Sequence, residues 1–319
     1  MALPDVLSRP LALPVVAAPM FISSVPDLVI AQCQAGVVGS FPALNARPSS
    51  LLADWLDRIV EENGAYARTH PDAPVAPFAV NQIMHRSNDR LDHDMNVIVE
   101  HRVPIVITSL GAIVELNQAV HGWGGIILHD IINDRFAHKA IEKGADGIIA
   151  VAAGAGGHAG RLSPFALVQE IREWFDGPLI LSGAIATGQA ILAAQAMGAD
   201  LGYIGSPFIA TEEANATPEY KKGIVDGRAD DIVYSSLFTG VHGNYLKASI
   251  VAAGLDPANL PEGDISTMDF ATGASKSKAW RDIWGSGQGI SAIHEVRPAG
   301  DYVAALIREY EAAKAALQA

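Results

Sequence analysis

Eight short apolar runs punctuate the first 204 residues, and their spacing limits the chain to very few folds. They are VVAA at 15–18, VVGS at 37–40, FAVN at 78–81, IVIT at 105–108, GIILH at 125–129, GIIAV at 147–151, LILS at 179–182 and LGYI at 201–204. Each is nearly continuous in apolar residues, the pattern of a strand covered on both faces. The segments between them, such as DRFAHKAIEKGAD and TGQAILAAQAMGAD, repeat apolar residues at helical spacing and reach a glycine just before the next run, a normal helix stop. Strand and helix in strict alternation mean βαβ units and a parallel sheet, and eight such units predict a (β/α)8 TIM barrel of the α/β class.

The rhythm breaks after residue 210. Residues 212–298 contain helical pieces (PEYKKGIVDGR, NYLKASIVAAG) and then a polar, Gly- and Ser-rich stretch, TGASKSKAWRDIWGSGQG. This region reads as an inserted smaller, mainly helical second domain that supplies substrate contacts or a lid. Residues 299–319 place Val303, Leu306, Ile307 and Tyr310 on one helical face. A C-terminal helix packing back on the barrel follows, giving expected units of 1–211, 212–298 and 299–319.

Composition narrows the possible functions. A net charge of −13 and the absence of any Lys/Arg cluster argue against a nucleic-acid partner. The single cysteine, Cys33, rules out an internal disulfide and a multi-cysteine metal site, and its apolar surroundings predict a buried small residue. No apolar run is long enough to span a membrane. The first twenty residues lack a basic start, and prolines interrupt their apolar character, so a cytoplasmic protein is the expectation.

A barrel of this kind places its chemistry at the C-terminal ends of its strands. Those ends hold Pro19 and Met20, Asn81 and Gln82, His129 and Asp130, a glycine-rich segment carrying His158, and the loops SGAIATG and IGSPF. The last two follow the seventh and eighth strands, where such barrels hold a phosphate on backbone amides and a helix N-terminus. Ser182, Gly183, Ala184, Gly205 and Ser206 have the small side chains this requires. Gly154, Gly156 and Ala159 match a dinucleotide fingerprint, but the helix that should open there is delayed to Pro164, with Ser163 as its cap, so the fingerprint is rejected. What is left is a loop almost free of side chains, with one imidazole able to move a proton near neutral pH.

The motifs AAPM, AVN, GADGIIAVAAGAGGHAG, LILSGAIATGQAILAAQAMGADLGYIGSPFIAT and WGSGQG resemble the nitronate monooxygenase family, whose members are FMN-dependent barrel enzymes. The resemblance implies FMN across the barrel mouth. Gly183, Ala184, Gly205 and Ser206, with Ser182, would hold its phosphate. Pro19, Met20 and Asn81 would lie against its ring or chain, Gly156 and Gly157 would pass near the ring, and Gln288 would close the site. It also implies His158 as the active-site base or electrostatic partner in oxidation of alkyl nitronates, such as propionate 3-nitronate. Electrons would pass singly, through a flavin semiquinone, to O2. Relatives often end the fifth strand in a lysine that reaches the flavin; His129 stands there in this chain and is taken as a cofactor-binding residue.

The same fold and cofactor also serve NAD(P)H-dependent quinone reductases and enoyl reductases, which form the alternative reading. A third reading is a flavin-binding protein without turnover. A dehydrogenase that forms a covalent cysteine adduct after the sixth strand is excluded, since Cys33 lies elsewhere. Tyr234, Phe238, His242, Tyr245 and Trp284 are candidates to line the substrate pocket and equally suit the core of the second domain. The resemblance is compatible with a homodimer.

Overall fold

The computed structural model describes residues 3–264 and 282–319. Its strands are β1 (Val15–Ala17), β2 (Gly39–Pro42), β3 (Phe78–Ile83), β4 (Ile105–Ser109), β5 (Ile126–Ile131), β6 (Gly147–Val151), a two-residue β7 (Gly157–His158), β8 (Leu179–Ser182), β9 (Leu201–Ile204), β10 (Ile232–Ser235) and β11 (Gly243–Leu246). The helices are α1 (Asp5–Ser8), α2 (Pro26–Gln34), α3 (Leu51–Thr69), α4 (Leu91–Glu100), α5 (Val114–His121), α6 (Asp134–Glu142), α7 (Pro164–Arg172), α8 (Gly188–Met197), α9 (Ser206–Ile209), α10 (Pro218–Asp226), α11 (Lys247–Ala252) and α12 (Ala299–Gln318).

Eight strands form one parallel sheet in the order β1-β9-β8-β6-β5-β4-β3-β2. A parallel bridge from Val16 to Val38, just ahead of β2, joins the two ends and closes the cylinder. All eight expected strands are present, the second displaced to Gly39–Pro42.

Side chains alternate between two apolar layers, as strand geometry requires. Val16, Ala79, Ile105, Ile107, Leu128, Ile149, Ile180 and Leu201 fill the interior. Leu7 of α1 packs into the same cluster, so the N-terminal segment plugs the barrel floor. Residues of opposite parity, including Val15, Val80, Val106, Ile127, Ile148 and Leu181, face the helices.

Helix ends follow local chemistry. Asn133 and Thr187 cap α6 and α8 by accepting the amides of Phe136 and Ala190, and Gly198 ends α8 with φ +112°. Ser163 precedes α7 as expected, although its hydroxyl makes no cap bond. The C-terminal helix α12 lies across α8 so closely that a Cβ on Gly188 would stand 2.2 Å from the Tyr310 amide nitrogen. Glu309 accepts the Gly188 amide at 2.8 Å across this contact.

The insertion is more than a set of helices. Strands β10 and β11 pair antiparallel, and β11 continues onto β7 of the barrel loop, with Gly243 opposite His158 and Asn244 opposite Gly157. This three-stranded sheet was not foreseen, because β7 is only two residues long and carries no periodicity. Much of the expected Gly- and Ser-rich stretch falls at 265–281, outside the described residues. Among the described residues no helix is long and apolar enough to cross a membrane.

Candidate active site

At the C-terminal end of the barrel the interior layer turns polar. Asn81, Ser109, Asp130, Val151, Ser182 and Tyr203, all of inward parity, line a cavity of about 320 Å³. That volume is in the range of small-molecule sites. Around it stand the loops that follow β1, β6, β8 and β9, together with residues of the insertion.

Ser109 donates to Asp130 Oδ2 at 2.5 Å and receives Asn81 Nδ2 at 2.7 Å. A file of three polar side chains thus crosses the barrel mouth from β3 through β4 to β5. Burial pushes the Asp130 carboxyl up to about 6, against the opposing pull of the Ser109 hydrogen bond. The phenol of Tyr203 is raised by burial and by the nearby Asp130 charge.

His158 enters from β7. Its Nε2 is 2.9 Å from Thr239 Oγ1, a residue of the insertion. Burial lowers its pKa to about 4, so the ring is neutral at physiological pH, and the residue lines the cavity. Two further contacts from the insertion hold the loop. Asn244 donates to the Ala155 carbonyl at 2.6 Å, and the Tyr234 hydroxyl donates to the Ala159 carbonyl at 3.1 Å.

The turns after β8 and β9 are adjacent because their strands pair. Gly183 has φ +144°, and a Cβ there would stand 2.7 Å from the Ala153 carbonyl oxygen, so only glycine fits. Ala184 follows at φ +55°, its amide 3.3 Å from the Gly154 carbonyl. That carbonyl also accepts the Gln288 amide at 2.9 Å, while Ser206 Oγ accepts the Gly287 amide at 2.8 Å. The insertion is therefore knitted directly to the loops after β6 and β9.

Pro19, Met20, Asn81, Gly156, Gly157, His158, Ser182, Gly183, Ala184, Gly205 and Ser206 come together around this one cavity. His129 does not line it. Leu128 and Asp130 share the inward parity of β5, which turns His129 outward beside Thr108 at 2.5 Å, where burial and then Lys143 lower its pKa to about 4. The polar side chain that β5 contributes to the cavity is Asp130. Gln288 also lies off the lining, which takes its neighbours Gly287 and Gly289 instead.

Of the aromatic candidates, Trp284 reaches the cavity, stacked on Tyr220 at 5.0 Å. Phe238 and Tyr245 form the insertion's own core, and Tyr234 stacks on His242 at 4.9 Å away from the lining. Sequence reasoning missed Ser109, Tyr220 and Arg47 as lining residues, and at the end of β5 it gave the site role to His129 in place of its neighbour Asp130. Inward parity along β4 and β5 was the available signal for Ser109 and Asp130.

Comparison with known proteins bears on the family and the fold. A family profile for nitronate monooxygenase matches residues 66–309. A nitronate monooxygenase of Paraburkholderia phytofirmans is 24% identical, over 93% of this chain and 92% of that protein. Among solved structures, nitroalkane oxidase from Streptomyces ansochromogenes superposes with TM-score 0.78 at 24% identity, covering 96% of this chain and 97% of the other. FabK from Thermotoga maritima gives TM-score 0.74 at 23% identity, covering 98% and 97%. At such identities the two structures speak for the fold. With a closed eight-stranded barrel, a glycine-lined cavity at its mouth and a profile match over most of its length, the chain belongs to the nitronate monooxygenase family and is a flavin-type oxidoreductase.

Proposed function

We propose that the cavity holds FMN and that the protein oxidises alkyl nitronates, propionate 3-nitronate among them, with O2. The observation that carries this reading is the convergence of His158, the Gly156–Gly157 backbone and the turns at Gly183 and Gly205 on one cavity. The fit to a flat phosphorylated group rests on the same walls. Gly156, Gly157, Gly183, Ala184 and Gly205 bring main chain to the cavity surface with almost no side chain between. Gly183, Gly205 and Ser206 would hold the phosphate, whereas the Ala184 amide is already turned toward Gly154. When bound, FMN supplies the electron acceptor and passes electrons on to O2.

The chain's own residues then have distinct tasks. His158 touches substrate. A neutral imidazole takes up a proton when an anion arrives beside it, because the nearby negative charge favours the charged form. The nitronate thereby gains a compensating charge inside a low-dielectric pocket without a permanent buried cation. Asp130, through Ser109, fixes the Asn81 amide at the cavity floor. The Tyr220–Trp284 stack forms an apolar wall that helps exclude water.

Anaerobic mixing of the flavin-loaded protein with propionate 3-nitronate and, separately, with NADPH tests the reading. Loss of flavin absorbance with the nitronate alone supports it. Rapid bleaching by NADPH, with quinone or enoyl turnover and none of the nitronate, would replace it with a reductase.

A further inference from the structure

The cavity mouth carries a charge that the nitronate chemistry does not use. Among the described residues, Arg47 is the one cationic side chain on the lining, in a chain of net charge −13. Its Nε donates to the Leu44 carbonyl at 3.0 Å, and its guanidinium lies 5.1 Å from the centroid of Phe21, also a lining residue. These contacts fix the plane of the group and engage only one of its donors. Among the described residues it forms no ion pair.

A built support surrounds it. Asn45, two residues earlier, accepts the Ile22 amide at 2.9 Å and donates to the carbonyls of Met20 at 3.0 Å and Ser24 at 2.8 Å. Ile22 is held at φ +68°, a conformation strained for a β-branched residue that persists only where the surroundings impose it. Asn215 of the insertion donates to the Ile22 carbonyl at 3.2 Å, joining the insertion to the same turn. Behind it, Arg90 donates to the carbonyls of Ala43 and Ala46 while paired with buried Asp94 at 2.9 Å. Burial and the Arg90 charge both lower the Arg47 pKa, which places the group where an added anion is welcome.

We propose that Arg47 anchors a negatively charged group at the end of the substrate remote from its reacting carbon, so that the site selects small acids, carboxylate- or phosphate-bearing, over neutral compounds of the same size. The planar fork of a guanidinium suits either anion bidentately. The nature of the reacting group rests on the nitronate reading above, and the anion preference does not.

The test needs no turnover. The flavin-loaded protein is titrated with 3-nitropropionate, propyl phosphate and neutral 1-nitropropane, and binding is followed by the shift in flavin absorbance. At least one anion should bind about tenfold tighter than 1-nitropropane, with the advantage shrinking as salt rises. Which anion leads identifies the carboxylate or the phosphate as the source. Arg47→Gln should abolish the advantage, and Arg47→Lys should restore part of it. Equal affinities in the parent protein, or an advantage untouched in Arg47→Gln, would overturn the proposal. Should Arg47→Gln lose flavin, the salt dependence of the parent and the Arg47→Lys result decide. An anion preference without nitronate oxidation would discard the proposed reaction and leave the anchor standing.

Discussion

Thr239 Oγ1 gives its proton to the Val241 carbonyl at 3.0 Å while facing His158 Nε2 at 2.9 Å. The contact ties the imidazole on β7 to the inserted segment.

Loss of the imidazole should separate binding from turnover. His158→Ala is expected to retain flavin and to lower nitronate turnover by roughly 10²-fold or more, the usual yield of one proton-handling group. Thr239→Val, which keeps the ring but removes its hydroxyl partner, should cost less, about tenfold by analogy with the loss of other orienting partners. Flavin absorbance and steady-state rates on the same preparations check both.

Stability against pH should expose His158 with a definite sign. Its native pKa of about 4 lies below the ordinary 6.5, so the unfolded chain binds this proton more tightly. The stability contributed is full above pH 6.5 and is lost as pH falls toward 4, by at most about 3 kcal/mol. Thermal melts of His158→Gln should therefore show less acid destabilisation than the parent over that interval.

Asp130 acts in the opposite direction. Its native pKa of about 6 exceeds the ordinary 3.8, so the native state holds the proton more tightly and stability falls as pH rises from about 4 past 6. Asp130→Asn keeps an acceptor for Ser109 and removes the buried charge. Its melting temperature should exceed the parent's at pH 8, by the equivalent of up to about 3 kcal/mol, and match it near pH 4. In the parent the two groups largely offset each other, so the single variants should diverge in opposite senses.

At Gly183 the backbone allows no side chain. Gly183→Ala brings a Cβ within 2.7 Å of the Ala153 oxygen at φ +144°, which should cost about 1–3 kcal/mol and release most of the flavin. Flavin content after gel filtration, with far-ultraviolet circular dichroism to confirm the barrel, is the measurement.

Gly188 offers a control remote from the chemistry. Alanine there collides with the Tyr310 amide and should lift α12 from α8, at about 3 kcal/mol, the upper end of overpacking costs. Denaturant midpoints should fall well below the parent's. Because Tyr302 of α12 also donates to the Ala186 carbonyl at 3.0 Å, in the turn after β8, flavin affinity should weaken only slightly.

The barrel was legible because its signal is repetitive: eight apolar runs each report the same two-sided burial, and a misjudged boundary at one, such as the second, is corrected by the rest. The glycine at 183 was legible because its φ of +144° restricts residue type, whereas Gly205, at φ −116° with room for a Cβ, is under no such demand. Asp130 was not legible, since choosing between adjacent positions 129 and 130 depends on parity, and a single-residue slip moves a side chain from the cavity to the helix layer. Nor was the clamp of Asn45 on Ile22, which joins loops 23 residues apart through one amide side chain. The sheet made by β7 and β11 was hidden for the same reason, as partners more than 80 residues apart leave no local periodicity.

The pairing of β7 with β11 carries a mechanical consequence. A cover that swung open on a hinge would have to tear the imidazole-bearing segment out of its ladder each cycle, and the amides of Gly157 and Asn244 would then exchange with solvent as fast as those of a frayed end. Stitched in this way, β11 and the segment that carries His158 form one ladder, so the wall of the cavity on that side moves as a unit with the barrel loop.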